Sequence, residues 1–213
     1  MANVIVQNRR ITPTIIRENR YAFRFVGDRS FDSQINDQPG QDFIAYNATS
    51  EKLCFVLCDG VSQSFMGDVG ARLLGEAVLI WLESGIGSSD TEVLQASLKK
   101  YLNSMVDQAT AQVSSQVLPE NLPYLLKEVL EEKRSLGSQS MFVGVRIDLP
   151  GSNFTHGRLI CTWMGDSRLR FWEGDNEQSQ NLEDQFLTSQ RWSSLSGLVN
   201  GDPHIFIDSL YGE

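Results

Sequence analysis

Residues 53–58 are six consecutive apolar side chains, Leu-Cys-Phe-Val-Leu-Cys, followed at once by Asp59-Gly60. So short and unbroken a run reads as a strand covered on both faces, so the fold has to supply a layer above it and another below. Residues 21–26 alternate and read as a strand. Residues 27–41 are rich in Gly, Asp, Ser, Asn, Gln and Pro and read as a loop. Residues 42–46 form a second strand, joined to the apolar run through a turn at 47–51 that suits a hairpin. The period then changes. Val69, Leu73, Ala77, Ile80 and Trp81 recur at helical spacing between 67 and 83. Ser89-x-x-Glu92 has the form of a capping box ahead of a second stripe, Leu94, Leu98, Leu102, Met105, Ala109 and Val113. Asn121 and Pro123 open a third helix carrying Leu126, Val129 and Leu130, which stops before Gly137. Strand patterns return at 141–147, 159–164 and 169–172, with 186–188 as a short further candidate. Gly165–Arg168 reads as a tight hairpin corner between two of them. Strands, then helices, then strands predict an α+β fold: two antiparallel β-sheets packed face to face and flanked by α-helices.

The 213 residues suffice for one domain with a sizeable core. With 41% hydrophobic and 21% charged residues the chain has the composition of a folded globule. A net charge of -9 argues against nucleic-acid or membrane-surface binding. The charge is uneven. Residues 1–24 hold Arg9, Arg10, Arg17, Arg20 and Arg24 against Glu18, a balance of +4 that leaves -13 for the rest. Residues 1–20 therefore read as a basic lead-in, a solvated edge strand or approach segment, ahead of a single domain over 21–213. The start of the chain does not have the form of a signal peptide, and the longest apolar run, residues 77–82, is far shorter than a membrane span. Cys54, Cys58 and Cys161 lie within strand-like runs and read as free thiols in a reducing, cytoplasmic setting. The two histidines, His156 and His204, lack the spacing of a zinc-ligand pair.

Three acidic corners stand out: Gln41-Asp42, Asp59-Gly60 and Gly165-Asp166-Ser167-Arg168. An isolated Asp-Gly is most often a turn. Here an antiparallel pairing of the first hairpin would bring Asp42, at the start of one strand, beside Asp59, at the end of its neighbour. Carboxylate, carbonyl and water oxygens favour hard cations such as Mg²⁺ or Mn²⁺. A bridging carboxylate can hold two such ions about 3.5–4 Å apart, with an activated water between them. That arrangement suits hydrolysis of a phosphate ester.

In five blocks, taken in order, the sequence resembles the type 2C, metal-dependent protein serine/threonine phosphatases (PPM-type). The blocks are Gln41-Asp42-Phe43, the strand ending in Asp59-Gly60-Val61, the small-residue helix start Gly67-Asp68-Val69-Gly70-Ala71-Arg72, Gly137-Ser138-Gln139-Ser140, and Met164-Gly165-Asp166-Ser167-Arg168. The resemblance implies that Asp59 bridges two metals, that the Gly60 carbonyl ligates one, that Asp42 holds metal-bound water, and that Asp166 faces an outer metal site. It implies Mn²⁺ or Mg²⁺ as cofactor, a phosphorylated protein as substrate, and a role in signalling of the bacterial type.

Two departures qualify the likeness. The arginine that usually precedes the Glu/Gln-Asp block and binds substrate phosphate has no counterpart in residues 33–40, and Arg29 is the nearest candidate. The second Asp-Gly strand and the final metal aspartate have no matching block either, so the chain resembles the amino-terminal two-thirds of the family domain. That predicts weak or single-metal occupancy, and an unpaired edge strand prone to self-association. Three readings follow. The first is a metal-dependent phosphoserine/phosphothreonine hydrolase. The second is a catalytically impaired, phosphatase-like binding or regulatory module. The third is an unrelated α+β protein whose Asp-Gly pairs are only turns.

Overall fold

The computed structural model describes residues 2–5, 11–35 and 39–210. The apolar run lies within β5 (Lys52–Gly60), at the centre of an antiparallel sheet. On one side it pairs with β4 (Phe43–Ala48), and β4 pairs with β1 (Asn3–Ile5). On the other side it pairs along its whole length with β6 (Gln139–Asp148). The far edge of β6 is shared. Phe142–Asp148 pairs with β7 (Arg158–Met164), while Gln139 and Ser140 pair with β10 (Arg191–Ser193). β12 (His204–Asp208) lies outside β7, and β11 (Gly197–Val199) outside β10. A two-stranded sheet, β2 (Ile11–Glu18) with β3 (Tyr21–Gly27), and a small ribbon, β8 (Trp172–Glu173) with β9 (Asn176–Glu177), complete the strands. The fold is thus α+β with one large and one small antiparallel sheet and flanking helices, as the element order predicts. Part of the basic lead-in, residues 11–18, is the first strand of the small sheet.

One face of β5 is fully covered and the other only in part, with Phe55 half-buried and Leu57 exposed. On one face α2 (Gly67–Glu83) buries twelve of its residues against Val56, Cys58, Phe142 and their neighbours. Each fully buried aliphatic side chain there contributes about 1.5–3 kcal/mol. α3 (Thr91–Ser104) and α4 (Val106–Ser114) pack outside α2, and α5 (Tyr124–Leu136) leads into β6. The predicted single stripe from Leu94 to Val113 is divided: the helix breaks at Met105, yet Leu98, Leu102, Ala109 and Val113 all stay buried. The cap of α3 is Asp90 rather than Ser89, its carboxylate accepting from the Glu92 and Val93 amides. A short helix, α1 (Phe31–Ile35), interrupts the predicted loop.

The other face is covered by β3, with Phe23 edge-on to Tyr46 at 4.7 Å, and by the segment after β7, whose Leu169, Phe171 and Phe186 pack over Val143, Val145, Cys161 and Trp163. This corrects the predicted hairpin at Gly165–Arg168. Residues 169–171 do not return along β7, because β12 already occupies its edge. Residues 186–188 form no strand, and a 3₁₀ turn at Gln180–Gln185 precedes them.

At one end of the sheet a buried ion triad ties the two layers together. Arg146 and Arg158 both grip Asp148 with five nitrogen–oxygen distances of 2.8–3.0 Å, Arg146 Nε reaching both carboxylate oxygens, Arg146 Nη2 reaching Oδ1, and Arg158 Nε and Nη2 reaching Oδ2. The triad carries one surplus positive charge. Arg146 spends it on the carbonyls of Leu82 (2.8 Å) and Ser84 (2.6 Å), and Arg158 on those of Ile86 and Ser88. Lys52 takes the intervening Glu83 carbonyl at 2.7 Å. α2 has no basic residue in its own last turn, so the sheet supplies the cations that satisfy its orphan carbonyls and the negative end of its dipole.

Candidate active site

The opposite end of the sheet collects the acids. The β4–β5 register pairs Phe43 with Cys58, which sets Asp42 opposite Asp59 one residue further on. Their carboxyl groups are within hydrogen-bonding reach of each other. Partial burial, reinforced by the negative charges of Asp42 and Asp166 and by the bond to Asp42, pushes the Asp59 carboxyl up to about 6. Burial also raises Asp42, which its bond to Asp59 partly offsets. All the charges that perturb Asp59 are negative, so among the described residues no cation balances the pair. The two carboxyls form a coupled acid in which Asp59 keeps its proton to a higher pH than an ordinary aspartate.

The backbone around the pair is held closely. The Gly60 amide donates to the Gln41 carbonyl at 3.1 Å, closing the strand ends over the acids. A Cβ on Gly60 would sit 2.3 Å from the Gly67 carbonyl oxygen and 2.7 Å from that of Gln41. Only glycine lets the end of β5 and the start of α2 approach this closely. Between them, Met66 adopts a left-handed conformation (φ 44), unfavourable for a side-chain-bearing residue. Its carbonyl accepts from Ser138 Oγ at 2.9 Å, while Ser64 Oγ accepts from the Gln139 amide. Ser140 Oγ donates to the Asp59 carbonyl at 2.7 Å. The Gly137–Ser140 block therefore serves as the clamp that fixes the Asp59-Gly60 corner. Two signals for it are visible in the sequence, the serine alternation on a strand start and the small residue Gly70 that faces Ser138.

Asp166 follows β7 and Gly165, whose φ of 108° and crowding against Met141 favour glycine. The chain turns away from the sheet there, leaving Asp166 exposed at the same end as Asp59 and close enough to raise its pKa. No ion pair joins Asp166 to Arg168 among the described residues. Arg29 lies between β3 and α1; its amide donates to Asp28, its carbonyl accepts from Gln34, and it is not among the groups that perturb Asp42 or Asp59. Among the described residues no three or more His, Cys, Asp or Glu side chains are grouped to hold a metal ion. The structure thus brings Asp42 and Asp59 together, sets Asp166 within electrostatic reach, and leaves Arg29 outside their influence.

Among the described residues no helix is long and apolar enough to cross a membrane. No protein-family model matches the sequence, and no curated protein matches it. Solved structures do match in fold. The serine/threonine phosphatase Stp1 from Staphylococcus aureus superposes with a TM-score of 0.50 at 12% identity, covering 81% of this chain and 66% of Stp1. A bacterial serine phosphatase superposes with a TM-score of 0.50 at 10% identity, covering 98% of this chain and 73% of that one. The chain spans about two thirds of the length of Stp1. At these identities the likeness is one of architecture: the chain is built on the framework of these bacterial phosphatases.

Proposed function

We propose that the chain is a phosphatase-like domain that hydrolyses phosphoserine or phosphothreonine in proteins with the help of Mn²⁺ or Mg²⁺. The observation that carries this reading is the Asp42–Asp59 pair, two carboxyls in contact at a strand end with no balancing cation among the described residues. Carboxylate oxygens are hard donors, and a divalent cation would relieve their repulsion and compete with the proton for Asp59. A bound ion of this kind supplies an activated water for attack on phosphorus. Asp59, and the Gly60 carbonyl beside it, would hold the ion, Asp42 would orient its water, and Asp166 would add negative potential at the outer rim. The absence of a three-ligand group among the described residues fits loose binding, with water filling most of the coordination sphere. Arg29 would have to move towards the acids to contact a substrate phosphate.

That same shortage of ligands favours a second reading, a phosphatase-like module that binds a phosphorylated partner without turnover. One experiment separates the two. The whole chain and Asp59→Asn are assayed with Mn²⁺ on p-nitrophenyl phosphate and on a phosphoserine peptide, alongside calorimetry of Mn²⁺ binding and proton release. Manganese-dependent turnover that the variant loses supports the hydrolase. Phosphopeptide binding without turnover supports the module. A chain that neither binds Mn²⁺ nor releases protons contradicts the metal reading. Self-association through the edges of β1, β11 or β12 that pair with no strand among the described residues belongs to the same proposal and is checked by light scattering.

A further inference from the structure

We propose that a cavity at the opposite end of the sheet from the acids binds a small phosphate-bearing ligand. Three connections meet there: the β2–β3 turn at Arg20, the β4–β5 turn from Thr49 to Glu51, and the β6–β7 loop from Leu149 to Phe154. They enclose about 530 Å³, within the range of small-molecule sites. β5 runs from the cavity to the acids, and the seven residue steps from Lys52 to Asp59 span roughly 23 Å. A ligand here is therefore not the ester held at Asp59.

The charge and hydrogen-bonding inventory defines the ligand. Arg146 and Asp148 line the cavity but are paired with each other, which leaves Arg20 and Lys52 against Glu51, a surplus of one positive charge in a chain of -9. Asp148 is already gripped by two arginines, so it presents little free negative charge. Arg20 is exposed and has no hydrogen bond or ion pair among the described residues, so the fold does not use its guanidinium. The Ser50 and Ser152 hydroxyls and the Asn153 amide line the same space and are likewise unbonded among the described residues. The Tyr21 hydroxyl is buried without a partner among the described residues, within the electrostatic reach of Arg20 and Asp148. A guanidinium, an ammonium and several neutral donors converging on one cavity match a group with many acceptor oxygens and two negative charges. A phosphate monoester and free phosphate share that chemistry. Nucleic acid is disfavoured by the chain's net charge of -9.

Calorimetric titration of the whole chain with inorganic phosphate, in EDTA so that the acids hold no metal, tests the proposal. Glucose 6-phosphate in parallel tells a monoester from free phosphate, and acetate controls for carboxylates. Saturable phosphate binding is expected, weakened about tenfold by Arg20→Ala through the loss of one charge-assisted contact. Removing the opposing charge with Glu51→Gln should tighten it, and Asp59→Asn should leave it unchanged. Arg20 is exposed and forms no hydrogen bond or ion pair among the described residues, so its variant should keep the wild-type circular dichroism and melting. No saturable binding, or binding indifferent to Arg20→Ala, overturns the proposal.

Discussion

Replacing Asp59 by Asn should make the metal-free protein more stable while abolishing its response to Mn²⁺. Partial burial and the charges of Asp42 and Asp166 hold the Asp59 carboxyl up at about 6, against an ordinary value of 3.8. A carboxyl raised by folding costs folding free energy when it ionises. The cost is absent below about pH 4, accumulates between about pH 4 and 6, and is complete above that range. A shift of about two units corresponds to ~3 kcal/mol at full strength. Asp59 is exposed, however, and solvent screens the repulsion, so the working figure is on the order of 1 kcal/mol. For a chain of this size that moves the melting temperature by about 2–4 °C. Asparagine keeps the shape of the side chain and can still bond to Asp42, but it carries no charge. In EDTA at pH 7.5, scanning calorimetry should therefore find Asp59→Asn melting about 2–4 °C above wild type, with the two converging near pH 4. Added Mn²⁺ should raise the wild type and not the variant. If the variant melts at or below wild type at pH 7.5, repulsion does not govern this corner. If the gap persists at pH 4, its origin is not ionisation.

Other regions give equally direct tests. Arg146→Leu strips Asp148 of one partner and leaves the Leu82 and Ser84 carbonyls without their cation; urea unfolding should show a loss of about 3–5 kcal/mol. Gly60→Ala drives a methyl against the Gly67 carbonyl, and chemical denaturation should register a loss of at least about 1–3 kcal/mol. Burial pushes the Cys54 and Cys161 thiols up to about 12 and Cys58 well above its usual range, so the folded chain should react with a disulfide reagent only as fast as it unfolds.

The acidic corner was legible because its geometry is local. A short turn between two apolar strands forces antiparallel pairing, and the register then sets Asp42 against Asp59 whatever the rest of the chain does. The helical layer was legible for a similar reason, since α2 and α3 carry their buried stripes at regular spacing. The misread elements depend on distant competitors. Residues 169–172 have a strand-like pattern, yet the edge of β7 goes to β12, some forty residues later, and Leu169 and Phe171 instead cover the face around Trp163. The Leu94–Val113 stripe hides a helix break, because Met105 preserves the apolar phase while its backbone leaves the ladder.

The Arg146–Asp148–Arg158 triad left a faint trace, a charged residue within an apolar strand pattern and an aspartate two places on, on the same face. Its meaning needed the carbonyls of α2, which no spacing reveals. Set beside the acids, the triad explains why charge is arranged so unequally along β5 and β6. At one end three buried ions are paired and bonded to backbone carbonyls, so a cluster that is expensive to desolvate becomes a staple between helix and sheet. At the other end two carboxyls touch and a third lies nearby, with no cation among the described residues to answer them. Unrelieved repulsion held in place by the glycine contact at Gly60 and the hydroxyl of Ser140 is the signature expected of a site whose missing partner arrives from solution.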